Sequence, residues 1–298
     1  MSKQVKKLYS SKNKFTGIDI FFLIILGIGA LLIIVPFWNV LVVSFATQKE
    51  YADTPLMLFP KNPTLESYQY LFRDGKIWQG YKNTALLELL GLPLSMFLTI
   101  TMSYALSKRN FPGRQAIIYL VTFTMIFNGG IVPMYLVMKQ LHLTGTMWSV
   151  VFSNCFSVFN MILMINYFQS LPESLMESAR LDGAGEWRIL WNIVLPLAKP
   201  IIATVTLFYC VSLWNQWYDS MIFLRKANMM PLQNVLRSII QETEINTSAT
   251  GSIAAIGQAQ FADGIKMAAV FLTMVPIMCI FPLLQKHFAK GVMIGAIK

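Results

Sequence analysis

Six apolar segments constrain this chain more than anything else in it: residues 20–46, 84–106, 116–138, 147–168, 201–224 and 267–284. A helix needs about 20 apolar residues to cross a hydrocarbon layer, and every peptide group there must be bonded within its own helix. The sequence therefore predicts an all-α integral membrane protein with six transmembrane helices, a single transmembrane domain over residues 1–298. Composition agrees, because only 13% of residues are charged and the mean hydropathy is +0.55, whereas soluble domains are roughly one quarter charged.

The first segment follows a basic tail, residues 1–19, with Lys3, Lys6, Lys7, Lys12 and Lys14. It is too long for a signal peptide and has no small-residue cleavage site, so it is expected to remain as a membrane helix. Lys108, Arg109 and Arg114 follow the second segment, and Lys286, Lys290 and Lys298 lie in the tail 285–298. The positive-inside rule puts both tails, and the segment 169–199, in the cytoplasm. The expected location is a cell membrane, with 48–82 and 225–266 on the outer side. The net charge of +10 is explained by these flanks. No Lys/Arg patch with interleaved aromatics points to nucleic acid. Cys155, Cys210 and Cys279 lie in apolar segments without CxxC spacing, and His142 and His287 have no second ligand nearby, so no metal site is expected.

Glycine and proline are predicted to break three segments: Gly91 with Pro93, Gly129-Gly130 with Pro133, and Pro276 with Pro282. Such breaks are either ordinary membrane-helix composition or irregular backbone beside a pathway. On the outer side Pro231 opens an amphipathic stretch with Leu232, Val235, Leu236, Ile239 and Ile240 on one face. Residues 246–257 read as a Ser/Thr/Gly-rich loop containing an Asn246-Thr247-Ser248 sequon.

Residues 171–200, LPESLMESARLDGAGEWRILWNIVLPLAKP, are more than a connector. Pro172-Glu173 starts a helix with Leu175, Met176 and Ala179 as its apolar stripe. Asp182-Gly183-Ala184-Gly185 makes a tight turn. A second helix carries Trp187, Leu190, Trp191 and Val194 at i, i+3, i+4 and i+7, and Leu195-Pro196 ends it. Two short helices of this kind form a knob suited to a partner's groove. An amphipathic hairpin resting on lipid is the competing reading.

The spacing Glu177-Ser178-Ala179, then Gly183, Ile193 and Leu195-Pro196, resembles the EAA motif of permease subunits of binding-protein-dependent ABC importers, with Ser178 where Ala is usual. Tyr104-Ala105-Leu106-Ser107, Gly129-Gly130-Ile131-Val132-Pro133, Leu213-Trp214-Asn215-Gln216-Trp217 and the ending from Lys266 to Ala296 are similar to the carbohydrate-uptake branch related to the maltose permease, and to its oligosaccharide and complex-glycan sub-branch. The resemblance implies the type I importer permease fold with a cytoplasmic coupling-helix loop. It implies that Glu177, Ser178, Ala179, Asp182, Gly183, Ile193, Leu195 and Pro196 form the ATPase-coupling element, with Glu177 near a basic group of the ATPase and Gly183 permitting the turn. It further implies a second homologous permease subunit, two cytoplasmic ATPases carrying ATP and Mg, and an extracellular or periplasmic sugar-binding protein.

No Walker A pattern, HExxH or nucleophile-base arrangement occurs, so no cofactor and no catalysis are expected of this chain. Candidate path residues are polar or aromatic groups in the spans: Glu88, Asn39, Trp214, Asn215, Trp217, Tyr218 and Asp219. The last five combine aromatic faces with an amide and a carboxylate, a set suited to a sugar ring or, alternatively, to an interfacial aromatic belt. An ion-driven secondary transporter and a membrane-embedded enzyme are the rival functions.

Overall fold

The computed structural model describes residues 17–73, 75–249 and 261–295, and among these no strand occurs. Three helices are individually long and apolar enough to cross a membrane: α1 (Gly17–Ser44), α4 (Lys76–Ser107) and the Ala262–Ile280 part of α14 (Ala262–Gly295). Three further candidates are bent pairs. α5 (Arg114–Ile126) meets α6 (Ile131–Gln140) at 116°, α7 (Met147–Asn154) meets α8 (Val158–Gln169) at 49°, and α10 (Glu186–Leu197) meets α11 (Lys199–Trp214) at 86°. The remaining helices are α2 (Gln48–Asp53), α3 (Glu66–Arg73), α9 (Glu173–Leu181), α12 (Tyr218–Phe223) and α13 (Leu232–Ala249).

The described residues belong to two compact units, one of Met1–Tyr68 with Ala259–Phe271, the other of Gln69–Gln258 with Leu272–Lys298. In the first, α1 is apolar on every side and buries only Val42, Val43 and Ser44. Its C-terminal end is tied down by polar contacts. The Trp38 indole donates to the Leu58 carbonyl at 2.8 Å, and the Ser44 and Tyr68 hydroxyls lie 2.7 Å apart. Glu50 Oε1 accepts from both the backbone and the amide of Asn62, which closes the loop after α2.

In the second unit α4 is the central post, packed against α7, α8, α11 and α13. The glycine and proline at 91 and 93 do not break it, contrary to the sequence expectation. Gly91 instead lets a neighbouring helix approach, since a Cβ there would lie 3.1 Å from Leu213 Cδ1. Gly80, Ser95, Thr99 and Ser103 extend this buried face of small side chains, the usual way for membrane helices to pack closely. Pro276 and Pro282 likewise lie inside the continuous α14. The Gly129-Gly130 break is real: Gly130 takes φ +87°, which disfavours other residues, and its N–H is bonded to Asn128 Oδ1.

Two breaks differ from the sequence reading. The fourth segment is interrupted at 155–157, where Ser157 caps α8 and donates its own N–H to the Tyr209 hydroxyl at 2.9 Å. The fifth helix stops at Trp214 and not at residue 224. There the Asn215 amide bonds back to the Val211 carbonyl at 2.8 Å, a side-chain bond that competes with helix continuation.

The outer amphipathic stretch folds as α13, with Leu232, Val235 and Ile239 buried. Its first turn is held from another helix, because the Leu232 N–H donates to Thr84 Oγ1 of α4 at 2.9 Å. α13 continues through Ala249, so the start of the expected loop is helical. The rest of that loop, the basic tail 1–16 and residues 296–298 lie outside the described residues.

Candidate coupling loop and path residues

The loop between the fourth and fifth segments is built as two helices around one left-handed glycine. At the end of α9, Asp182 N–H bonds Ser178, Gly183 N–H bonds Arg180 and Ala184 N–H bonds Ala179. This is a Schellman-type ending, which needs a residue with positive φ just past the helix. Gly183 supplies it at φ +81°, with open space around its α-carbon. Ala179 and Ala184 pack together on the apolar cluster beneath.

The second helix of the loop changes register part-way. Its middle, Leu190–Val194, is a π turn, and the Leu195 N–H reaches the Leu190 carbonyl five residues back. The wider turn rotates the buried face. Ile189, Leu190 and Val194 enter the core with Tyr104, Phe168, Ile201 and Tyr209, while Trp187 and Trp191, which the i, i+3, i+4, i+7 pattern put on the buried face, are 60% and 56% exposed. Leu181 at the end of α9 is 90% exposed. Glu177, Ser178, Asp182 and Gly183 lie on the exposed side of the loop, whereas Ile193 is half-buried and Leu195 packs on the core. Pro196 is exposed. The motif thus divides into an outward-facing half and an anchoring half.

A polar clamp, absent from the sequence reading as a functional group, holds the two halves to α4. Glu186 accepts from Arg180 Nε at 2.8 Å through Oε1 and from the Tyr104 hydroxyl at 2.5 Å through Oε2. Lys108 Nζ lies 3.8 Å from the same Oε2, 4.5 Å above the Tyr104 ring and 3.4 Å from Met176 Sδ. Partial burial works against ionisation of Glu186, but the bonds from Tyr104 and Arg180 and the nearby cations outweigh it and leave its carboxyl below the usual range. Burial lowers the Lys108 ammonium from its ordinary value, an effect that Glu186 partly offsets. The sequence signal was slight: an acid in a helix's first turn, whose partners lie far away in the chain.

The path candidates do not form one cluster. Trp214 is buried, its indole N–H donating to the Thr273 carbonyl at 3.2 Å beside the Tyr81 ring. The break after it separates Trp214 from Trp217, whose ring is covered by the Arg237 guanidinium at 3.9 Å and whose edge meets Tyr218. Asn215 also accepts from Gln233 at 3.3 Å. Asp219 Oδ2 gathers Asn154 at 2.8 Å, Gln216 at 3.0 Å and Ser153 at 3.4 Å, tying α12 to the end of α7. Glu88 lies beside Cys210, and both its carboxylate oxygens are buried without an aligned hydrogen bond among the described residues. Asn39, in the other unit, donates to the Pro55 carbonyl at 3.4 Å. Among the described residues no group of His, Cys, Asp and Glu is arranged to hold a metal.

The family model described as binding-protein-dependent transport system inner membrane component matches residues 15–294. The chain is 38% identical over 272 residues to protein LplC of Bacillus subtilis, covering 91% of each sequence. It is 36% identical over 271 residues to the polygalacturonan/rhamnogalacturonan transport system permease protein YtcP of the same organism, covering 90% of this chain and 94% of that one. Among solved structures, one chain of a bacterial ABC transporter involved in the import of the acidic polysaccharide alginate superposes with a TM-score of 0.84 at 30% identity, over 93% of this chain and 100% of its own.

Proposed function

Because the chain belongs to the family of binding-protein-dependent transport system inner membrane components, a non-catalytic permease subunit, we propose that it forms half the translocation path of an ATP-driven oligosaccharide importer and that α9 with α10 carries the ATPase's motion to that path. The observation behind this reading is the two-sided construction of the loop. One side exposes Leu181, Glu177 and Ser178, while the other drives Ile189, Leu190 and Val194 into the membrane core and turns through 86° into α11. A large exposed apolar side chain beside polar groups marks an interaction site, and a rigid anchor lets a docked partner move the path as a lever.

The expected partners are two cytoplasmic ATPase subunits on the loop, a second homologous permease subunit, and an outer sugar-binding protein. ATP and Mg belong to the ATPases. The family assignment supports an inner-membrane location, the clamp brings Lys108 beside the α9–α10 loop, and the basic residues Lys108, Arg109 and Arg114 favour the cytoplasmic side for both. Relatives named for oligosaccharides and polysaccharides support a glycan cargo. Asp219, Glu88, Trp214, Asn215, Trp217, Tyr218 and, in the other unit, Asn39 remain the candidates for lining such a path.

The test is purification from native membranes in mild detergent, then reconstitution of whatever accompanies the chain into liposomes. ATP-dependent glycan uptake that needs a binding protein is the expected result. Solute movement by the chain alone, driven by an ion gradient without ATP, would contradict the reading.

A further inference from the structure

The break at 155–157 opens a groove of about 330 Å³ between α7, α8 and α11, within the size range of small-ligand sites. Asn160 lines it. This residue is only 4% exposed, yet its side-chain amide makes no hydrogen bond with any described residue. Its amide atoms are not among the described side-chain atoms that are sealed off without a partner, so the amide opens into the groove, where it can bond a polar occupant.

The remaining walls specify that occupant. Phe159 and Phe208, with ring centroids 6.1 Å apart at 41°, form an aromatic side, and Ser212 adds a hydroxyl. Tyr209 shapes the floor, and its hydroxyl is already engaged on two sides. Its hydroxyl already accepts from the Ser157 N–H and pairs with Thr99 Oγ1 at 2.7 Å. Asn154 is oriented by its neighbours: its NH2 group is directed to the Val150 carbonyl, Ser153 Oγ and Asp219 Oδ2, so its carbonyl oxygen is the atom left over. Among the described residues no cation lines the groove, and a carboxylate stands directly behind Asn154.

We propose that this groove is a subsite for one uncharged pyranose ring of a glycan in transit, with Asn160, Ser212 and the Asn154 carbonyl bonding its hydroxyls and Phe159 and Phe208 covering its apolar face. Hydroxyls can donate to the spare carbonyl, whereas a uronate carboxylate would meet an acceptor backed by Asp219. The proposal rests on the import reading above and adds to it a location and a charge preference.

The experiment uses the complete importer in liposomes, supplied with a mixture of neutral galactan oligosaccharides and acidic polygalacturonan oligosaccharides. Luminal sugars are identified by mass spectrometry, and sugar imported per ATP hydrolysed is compared for the wild type, Asn160→Leu and Phe159→Ala. The expected result is neutral-glycan uptake that falls at least tenfold per ATP in Asn160→Leu and in the same direction in Phe159→Ala, with subunit recovery and ATP hydrolysis retained. Phe159 is 54% exposed, so its truncation leaves the fold intact and serves where Asn160→Leu is not recovered. Unchanged uptake per ATP in the variants overturns the subsite but leaves the importer standing. Uptake of acidic glycans alone overturns the charge preference, and loss of the second permease from otherwise folded variants makes the groove a subunit contact. No ATP-dependent uptake by the wild type removes the import reading itself.

Discussion

The Tyr104 hydroxyl, near the C-terminal end of α4, lies 2.5 Å from Glu186 Oε2 on the first turn of α10, 82 residues further along the chain. The α9–α10 loop is therefore gripped at two points, through its direct continuation into α11 and through this bond to α4. A displacement of α9 reaches both helices, and both pack on the core containing Leu190 and Val194. Removing the clamp should loosen the lever without unfolding the membrane bundle. Tyr104→Phe and Glu186→Gln are expected to raise hydrogen exchange across α9 and α10 and to weaken coupling of ATP hydrolysis to uptake several-fold. Exchange in α8 should stay unchanged. Equal exchange in the loop of wild type and variants would show that the clamp carries nothing.

The same carboxylate gives the loop an acid limit. Glu186 has its folded-state pKa below the ordinary value, burial being outweighed by its donors and cations. The ionised form is thus the one the fold favours. Its contribution is fully present above the ordinary carboxylate range and is lost as pH falls through the lowered folded value. Limited proteolysis of the loop should therefore be flat from neutral pH to just above that range and rise below it, and the rise should be absent in Glu186→Gln.

At Gly183 the constraint is backbone conformation alone, since φ is +81° and nothing stands within 4 Å of the position a Cβ would take. Gly183→Ala should cost about 1–2 kcal/mol locally, and a β-branched replacement more. Gly183→Val is expected to lose ATPase coupling while keeping normal membrane insertion and thermal stability of the spans. Coupling at the wild-type level would mean that the Schellman turn is dispensable.

Gly91 poses the opposite constraint, space. A Cβ there would stand 3.1 Å from Leu213, and an added isobutyl group overpacks the α4–α11 contact by on the order of 1–3 kcal/mol. Gly91→Leu should lower the detergent melting temperature of the subunit. Gly129→Ala, whose Cβ would have its nearest neighbour at 4.0 Å, should not. A melt of Gly91→Leu that matches the wild type would show that the two helices separate easily.

Local features of the sequence accounted for what local chemistry controls. The apolar runs marked the membrane helices, Gly129-Gly130 marked a true break, and Gly183 marked the turn of the loop. The errors have a common origin in long-range contacts. Gly91 and Pro93 look alike as helix breakers, yet Gly91 answers to Leu213 on another helix. The heptad-like spacing of Trp187, Leu190, Trp191 and Val194 assumes an α-helix throughout, and the π turn ahead of Pro196 transfers the buried face to Ile189. The clamp made by Glu186 and the groove position of Asn160 were invisible because their neighbours, Tyr104 and Lys108 for one and Phe208 and Ser212 for the other, come together only on folding. The pause at Ser157 was legible in principle as a helix cap before Val158.

The central claim, that the exposed side of the α9–α10 loop seats in an ATP-hydrolysing partner, is tested most directly by a photo-crosslinking residue placed at Leu181, the loop's most exposed apolar position. Irradiation of native membranes should give an adduct with an ATPase subunit, in a yield that changes when ATP is trapped. Adducts with lipid alone, or with no ATP-binding protein in membranes where the importer is active, would contradict the account.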